Sequence, residues 1–358
     1  MSQAAEQIRF CVSRDRTRIA YAVSGAGYPV LFVQDWVHHV KFDWDSELWR
    51  PWLALLAQGH RLLRYDFRGL GLSDRERIQF SHERHVEDLA AVADAAGLER
   101  FAIVAMAGGC AKAVSYAVRH PQRVTHLVLF GPPTRGRLAG NPSARLLEES
   151  DVRLKAIELG WPNEIHAYGH FLASLQIPDA SPAIIRSFND LLRRTTSPTN
   201  ATALLRGYWQ VDVTDSLPKI SCPTLVLHAR EDSTIPFEEG RKVAGLIPDA
   251  RFVPLDSRDH ILVASEPAWR LLAAALEEFL PGAAAFERPL ADLTARECNV
   301  LELVAGGLDN YEIATRLGIR EKTVRNHVTS VLSKLGAKSR AQAVARARDA
   351  GFGQRVAR

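Results

Sequence analysis

A chain of 358 residues exceeds one ordinary small domain, which predicts two or three domains. Hydrophobic residues make up 47% and charged residues 24%, as in soluble globular proteins, and no apolar run approaches the roughly 18 residues that span a bilayer. The N-terminal residues lack the apolar segment of a secretory signal, and the four cysteines are scattered. We therefore expect reduced thiols, no metal site, no membrane association and a cytoplasmic location.

The charge is distributed unevenly along the chain. Residues 290–358 carry 12 Lys and Arg against 7 Asp and Glu, a balance of +5, whereas the remaining 289 residues carry 33 against 34. An ordinary solvated helical surface explains such an excess as well as nucleic-acid binding does, so DNA binding needs support from a motif.

The first 130 residues alternate β-branched runs with helical patterns. The predicted strands are 18–24, 29–33, 60–66, 101–105 and 124–131, and the predicted helices between them include 49–58 and 82–96. Residues 135–215 have only helical patterns, after which come strands at 223–229 and 250–255 and a helix at 267–280. This order predicts a mostly parallel sheet covered on both faces, with a helical lid over the carboxyl ends of its strands.

Four segments in order resemble the α/β-hydrolase family. Asp66-Phe-Arg-Gly-Leu-Gly-Leu-Ser-Asp74 is similar to its D-x-R-G-x-G-x-S-D turn, 230–236 to the turn that carries the acid, and Asp259-His260 to the loop that carries the histidine. Between them, Ala105-Met-Ala-Gly-Gly109 has the small residues of a nucleophile elbow. The resemblance covers residues 8–280, implies the α/β-hydrolase fold, and places the triad positions at Ala107, Asp232 and His260.

Two of the family's catalytic features are missing from this sequence. Ala107 has no oxygen to attack a substrate, so serine-type acyl transfer is excluded. Gln34-Asp35 stand where the family usually has His-Gly, and a carboxylate would repel a developing oxyanion. We therefore expect a pseudoenzyme without catalytic residues or cofactor. His260 and Asp232 either remain a working base or persist as polar pocket lining.

Aromatic residues are concentrated where a pocket is expected. Six of the seven tryptophans lie in loops after strands or in the lid region. Core packing explains any one of them, but aromatics with a few polar tips are together typical of a small-molecule pocket. The predicted pocket residues are Trp36, His38, Met106, Ala107, Trp161, Trp209 and His260.

A second domain follows a break in the pattern. Pro281 to Pro289 has proline at both ends of a run of mostly small residues, which predicts a linker at 281–289 between domains at 1–280 and 290–358. Residues 290–352 resemble the C-terminal helix-turn-helix domain of LuxR/FixJ-type transcription regulators. Thr294 and Glu297 form a capping-box pattern, 310–317 is the first helix of the turn, and 320–335 is the recognition helix.

The recognition helix has an apolar and a polar face. Val324, Val328, Val331 and Leu335 repeat at helical spacing and are expected to pack inward. We predict Thr323, Arg325 and Asn326 as base-edge readers, and Arg320, Lys322, His327 and Lys334 as phosphate contacts. Arg320 stands where the family often has a serine cap. The last helix, 339–350, often pairs two such domains in this family, which implies a homodimer on double-stranded DNA, with RNA polymerase as a further candidate partner.

The combined prediction is a DNA-binding transcription regulator whose inactive α/β-hydrolase-like domain senses an unknown small molecule. Two alternatives remain open. One is a bifunctional enzyme-regulator that uses the His260–Asp232 dyad without a serine nucleophile. The other is a ligand-independent regulator whose large domain is a dimerisation scaffold.

Overall fold

The computed structural model describes residues 6–161, 166–282, 293–337, 339–350 and 352–353. The chain divides into two compact units, one built mainly from residues up to 280 and the other mainly from residue 281 onward. Most of the predicted linker lies outside the described residues, so its conformation stays a prediction. Of the helices in the described ranges, none has the length and apolarity required to cross a membrane.

The first unit is built around an eight-stranded sheet with the spatial order β1-β2-β4-β3-β5-β6-β7-β8. Its strands are β1 (Gln7–Val12), β2 (Arg18–Gly25), β3 (Tyr28–Val33), β4 (His60–Tyr65), β5 (Phe101–Met106), β6 (Val124–Phe130), β7 (Thr224–Ala229) and β8 (Arg251–Leu255). The β3–β5, β5–β6, β6–β7 and β7–β8 pairs are parallel, and β1 pairs antiparallel with β2. The mostly parallel sheet is confirmed.

Helices cover this sheet and form the lid. They are α1 (Trp49–Ala57), α2 (His82–Ala95), α3 (Gly108–Arg119), α4 (Ala144–Gly160), α5 (His166–Gln176), α6 (Pro182–Thr195), α7 (Pro198–Trp209), α8 (Phe237–Leu246) and α9 (Ala268–Phe279), with a 3₁₀ helix at Thr214–Lys219. Helices α4 to α7 lie between β6 and β7 in the chain, where the lid was predicted. Every residue of β5 and of β7 is buried, as expected for strands covered on both faces.

The turn after β4 is a structural motif. The carboxylate of Asp66 accepts hydrogen bonds from the N–H groups of Val40 and Leu72, both at 2.8 Å. The guanidinium of Arg68 is fully buried between Asp88 at 2.7 Å and Asp15 at 2.8 Å. A buried ion needs such complete pairing, so these residues fix the loops after β3 and β4 that border the site.

The second unit is helical: α10 (Ala295–Ala305), α11 (Asn310–Leu317), α12 (Glu321–Lys334) and α13 (Arg340–Asp349). The predicted capping box is present, with Thr294 N–H donating to Glu297 Oε2 at 2.7 Å and Glu297 N–H donating to Thr294 Oγ1 at 3.3 Å. Gly318 ends α11 in the left-handed conformation (φ +64°), which makes the tight turn into α12. On α12, Val324 and Val331 are buried and Val328 is partly buried, which confirms the inward face.

Candidate ligand cavity and DNA interface

The elbow between β5 and α3 retains a strained backbone although it carries no nucleophile. Ala107 has φ +42° and ψ −114°, a conformation that L-residues rarely adopt. Its N–H donates to the carbonyl of Phe130 at 2.9 Å. A Cβ on Gly109 would lie 2.4 Å from the carbonyl oxygen of Val33, so glycine is required where the start of α3 passes the end of β3. The backbone therefore has the elbow geometry, but the side chain at 107 has no reactive atom.

The carboxylate of Asp35 lies beside the backbone of Gly108, the residue after Ala107. It is buried, and a Cβ on Gly108 would lie 3.5 Å from Asp35 Oδ1. In an α/β-hydrolase, the oxyanion hole is formed by the N–H of the residue after the nucleophile and by an N–H from the loop that follows the strand equivalent to β3. Burial raises the pKa of Asp35, and the charges of His260 and Lys112 and the backbone N–H groups of Trp36 and Gly108 offset only part of that rise. The sequence predicted repulsion of an oxyanion here, and the structure places the buried carboxylate beside Gly108, whose N–H would be one of the donors.

The other oxyanion position, Gln34, lies apart from the cavity. Its side-chain amide donates to Asp43 Oδ2 at 3.2 Å, and Asp43 is also paired with Arg64 at 2.6 Å. Gln34 therefore belongs to a buried polar network and is not among the residues that line the cavity.

The acid and histidine of the triad remain a hydrogen-bonded dyad. His260 Nδ1 lies 2.8 Å from Asp232 Oδ2, and both side chains are almost fully buried. Asp232 Oδ1 also accepts the N–H groups of Thr234 and Ile235, each at 2.8 Å. Burial lowers the pKa of His260, but the charge and hydrogen bond of Asp232, with a contribution from Asp35, raise it overall. This half of the site is still arranged as an oriented base.

A cavity of about 520 Å³ lies at this site, and it is lined by both halves and by the lid. Of the seven residues predicted for a pocket, Trp36, Ala107, Trp209 and His260 line it. Its volume falls in the range that small-molecule ligands occupy.

The other three predicted pocket residues do not line this cavity, so their assignment is corrected. Met106 is fully buried at the end of β5. His38 is also fully buried, with its ring edge-on to Phe67 at 4.8 Å between ring centres. Trp161 stacks on Trp36 with ring centres 6.1 Å apart and donates its indole N–H to the carbonyl of Thr196 at 3.2 Å. All three have packing roles, which a sequence pattern does not separate from pocket lining.

The cavity is also lined by charged lid residues that were not predicted from the sequence. Arg137, Glu149 and Arg153 line it, together with Gln176 and Tyr208. Charged residues on a helix usually form a solvated face, so they gave no signal by type. Spacing was the available signal, because Leu146, Glu149, Arg153 and Ile157 all line the cavity and repeat every three or four residues along α4.

Helix α12 exposes the predicted DNA-reading residues. Arg320, Lys322, Thr323, Arg325 and Asn326 are exposed, whereas His327 is half-buried. Arg320 begins the helix without a side-chain cap, as expected from the missing serine. Which residues contact bases or phosphates stays a prediction.

Several basic residues of this unit have internal roles. The ammonium of Lys334, predicted as a phosphate contact, lies 2.7 Å from Glu297 Oε2. Arg340 donates to the carbonyl of Leu308 at 2.5 Å, and Arg348 donates to the carbonyl of Ala305 at 3.0 Å. These contacts satisfy groups near helix ends. Part of the +5 excess therefore stabilises the domain, and the cations at the start of α12 remain exposed.

The predicted dimerisation helix packs into its own domain. Ala343 and Ala347 of α13 are buried beside Leu301 and Val331, and Val344 packs against the cluster that contains Val300. Only part of the helix surface is therefore free for a second copy, and the homodimer stays a prediction.

Comparison with known proteins identifies the family of each unit. Residues 28–267 match the model of the alpha/beta hydrolase fold family, and residues 291–347 match that of the luxR family of bacterial regulatory proteins. The chain therefore belongs to the alpha/beta hydrolase fold family and carries a C-terminal luxR-family domain. This LuxR-type DNA-binding domain supports a transcription regulator.

Individual relatives of the first unit are enzymes. A non-heme haloperoxidase of Rhodococcus erythropolis is 29% identical over 264 residues, which cover 70% of this chain and 92% of the relative. The solved esterase EaEST from Exiguobacterium antarcticum is similar in structure (TM-score 0.65, 20% identity), over 75% of this chain and 98% of that one. The enol-lactonase from Burkholderia xenovorans LB400 has a TM-score of 0.62 at 20% identity, over 76% and 99%. At these identities the two solved structures show the fold alone.

Proposed function

We propose that this protein is a DNA-binding transcription regulator whose α/β-hydrolase-like domain binds a small molecule in the 520 Å³ cavity without cleaving it. The observation that carries the proposal is the carboxylate of Asp35, which is buried in the cavity lining beside Gly108, the residue after Ala107. The proposed regulator acts in the cytoplasm as a homodimer on double-stranded DNA.

The absence of cleavage follows from two requirements of acyl transfer. An attacking oxygen is needed at position 107, where the chain has a methyl group. Backbone donors must also be free to stabilise the negative charge that develops on the substrate oxygen. At this site the buried carboxylate of Asp35 lies beside Gly108, whose N–H would be one of these donors. A negative charge at this position repels the negative charge that develops on a substrate oxygen.

A ligand in the cavity would contact several helices of the lid at once. The cavity is lined by Arg153 of α4, Leu172 of α5 and Trp209 of α7, so one occupant contacts three lid helices. A ligand shifts a conformational equilibrium only as far as it binds one arrangement better than another. A bound molecule that bridges these helices favours one lid arrangement, and the DNA affinity of the regulator is the expected readout.

A binding titration with the full chain tests this proposal. The DNA is a duplex selected by the chain from a random pool, and the probes are 4-phenylbutyrate, octanoate and their primary amides. For a probe that saturates the cavity, we expect the Kd for the duplex to change at least about fivefold. An unchanged Kd at saturation by every probe that binds would contradict ligand sensing.

A second candidate function is catalysis without a serine nucleophile. It is favoured by the 2.8 Å contact between Asp232 and His260, which lines the cavity, because this is the arrangement of a general base. In this case the wild-type chain would consume an ester or lactone with turnover, and His260→Ala would abolish that turnover. Activity that survives His260→Ala would exclude the dyad as its source.

A further inference from the structure

We infer that the ligand of this cavity is an apolar carboxylic acid whose carboxylate is bound by Arg153 and Arg137. This inference rests on the proposed function, because it specifies the chemistry of the molecule that the domain binds. It goes further by naming the end of the cavity that recognises the charged group.

The two arginines reach the cavity from neighbouring parts of the chain. Arg153 lies on α4, on the same helix face as Leu146 and Ile157, which also line the cavity. Arg137 lies between β6 and α4 and lines the same space. Arg135 also lines the cavity but is exposed, so Arg137 and Arg153 are the partly buried arginines that border it.

The carboxylates at this end leave positive charge uncompensated. Glu149 lies 3.3 Å from Arg137 Nη2, but its other oxygen lies 2.9 Å from the exposed Arg145. Burial and repulsion from Arg137 together lower the pKa of Arg153 to about 10, and Glu149 opposes this only in part. A second cavity carboxylate, Glu239, accepts from Thr134 and pairs with Lys242 at 2.7 Å.

The third carboxylate of the cavity, Asp35, is stabilised by the charges of His260 and Lys112 and by nearby backbone N–H groups. None of the ion pairs found between residues in the described ranges includes Arg153. A ligand carboxylate would supply the missing negative charge at this end of the cavity.

Arg137 is held in place for a planar anion. Its guanidinium lies 5.5 Å from the centre of the Trp209 ring, a cation–π contact that fixes a flat group. Its Nε is buried, so a ligand in the cavity would bind to the terminal N–H groups. The terminal N–H groups of a fixed guanidinium match the geometry of a carboxylate, which accepts parallel hydrogen bonds.

The remaining lining determines the body of the ligand. It is largely apolar and includes Leu146, Ile157, Leu172, Leu205 and Ile235. An acid with a hydrocarbon or aromatic body would pack that body against this apolar lining, with its carboxylate at the charged end.

The test compares acids with uncharged amides of the same shape by calorimetric titration of the full chain. The pairs are 4-phenylbutyrate with 4-phenylbutanamide, and octanoate with octanamide. We expect each acid to bind at least about tenfold more tightly than its amide. Arg153→Gln and Arg137→Gln should each reduce this acid preference severalfold. Lys155→Gln is the matched control, because Lys155 lies on the same helix, is 70% exposed and is absent from the cavity lining.

Three results would overturn the inference: an amide that binds as tightly as its acid, an acid preference that survives Arg153→Gln, or no binding of either acid up to about 10 mM. Arg153→Lys keeps the charge and should retain most of the preference, and its melting temperature checks folding. An amide that binds as tightly as its acid and changes DNA affinity would refute the preference for an acid and leave ligand sensing intact. An acid that binds through Arg153 without changing DNA affinity would support the acid preference and refute ligand sensing.

Discussion

The nucleophile elbow and the turn before the recognition helix are both tight turns that lead into a helix, but they differ in the side chains that they present. At the elbow, Ala107 keeps φ +42° with no reactive side chain. At the second turn, Gly318 keeps φ +64° and the following helix α12 exposes Arg325 and its polar neighbours. The strained backbone at 107 is fixed by packing, because Gly109 lies against Val33, and it therefore persists without the reaction. Geometry alone thus identifies the fold, whereas function depends on the side chains that the geometry presents.

The largest expected effect comes from restoring the chemistry at the elbow. Ala107→Ser alone should give little hydrolysis of p-nitrophenyl butyrate, because the carboxylate of Asp35 still lies beside Gly108 and repels a developing oxyanion. The double variant Ala107→Ser/Asp35→Ala should exceed it by at least about 100-fold in kcat/KM, since loss of one oxyanion donor costs about 10²–10³ in rate. Asp35→Ala alone is the control and should stay inactive. Equal rates for the single and double serine variants would show that Asp35 does not block the site.

The recognition helix is tested by removing one exposed cation. Arg325→Ala should weaken binding to the selected duplex by about 1–3 kcal/mol at fixed salt and relax its base preference, if the guanidinium reads a base edge. Lys322→Ala should weaken all sequences alike and flatten the salt dependence. Arg241→Ala, an exposed arginine of α8, serves as the control. Unchanged specificity in Arg325→Ala would remove that residue from the readout.

The pKa of His260 tests the dyad. It is measured by an NMR titration, and the His260→Gln variant identifies the signal of this imidazole. The pKa should lie above the unfolded value of about 6.5 in the wild type, and Asp232→Asn should lower it by at least about one unit. Because the folded-state pKa is raised, the stability from His260 is fully present below about pH 6.5 and is lost as pH rises through that pKa. A His260 pKa that does not respond to Asp232→Asn would mean that the contact does not orient the base.

The same dyad has a second pH limit. Burial acts to raise the pKa of Asp232, but the charge of His260 and the hydrogen bonds lower it overall. The stability that ionised Asp232 contributes is therefore present above its unfolded-state pKa of about 3.9, and it is lost as pH falls through the lower folded-state pKa.

The smallest expected effect concerns the capping box of the second unit. Thr294→Ala removes the side chain that accepts Glu297 N–H and should lower the unfolding free energy of this domain by about 1 kcal/mol. Thr323→Ala, on the exposed face of α12, should change it by less than about 0.5 kcal/mol. Chemical denaturation followed by circular dichroism measures both. Equal losses would show that the cap adds nothing.

The fold was largely predictable because apolar strands and turn motifs are local signals. Strand β1 was missed because its residues are exposed or half-buried at the sheet edge, which leaves no apolar run to detect. Within the site, the motifs located Ala107, Asp232 and His260, since each lies in a recognisable turn.

Other parts of the site depend on long-range contacts. That Asp35 lies beside Gly108 depends on β3 and β5 being neighbours in the sheet. The contact of Lys334 with Glu297 joins residues 37 apart in the chain. Arg153 enters the cavity only because α4 folds over the sheet as part of the lid. Residue type and spacing do not determine such pairings.

The central claim is that occupancy of the cavity, without turnover, changes DNA binding. Its most direct test measures the Kd for the selected duplex with and without saturating 4-phenylbutyrate, and then recovers the compound by chromatography. We predict a change of at least about fivefold in the wild type, little change in Arg153→Gln, and complete recovery of the acid. The same Kd at full occupancy, or conversion of the compound, would contradict the claim.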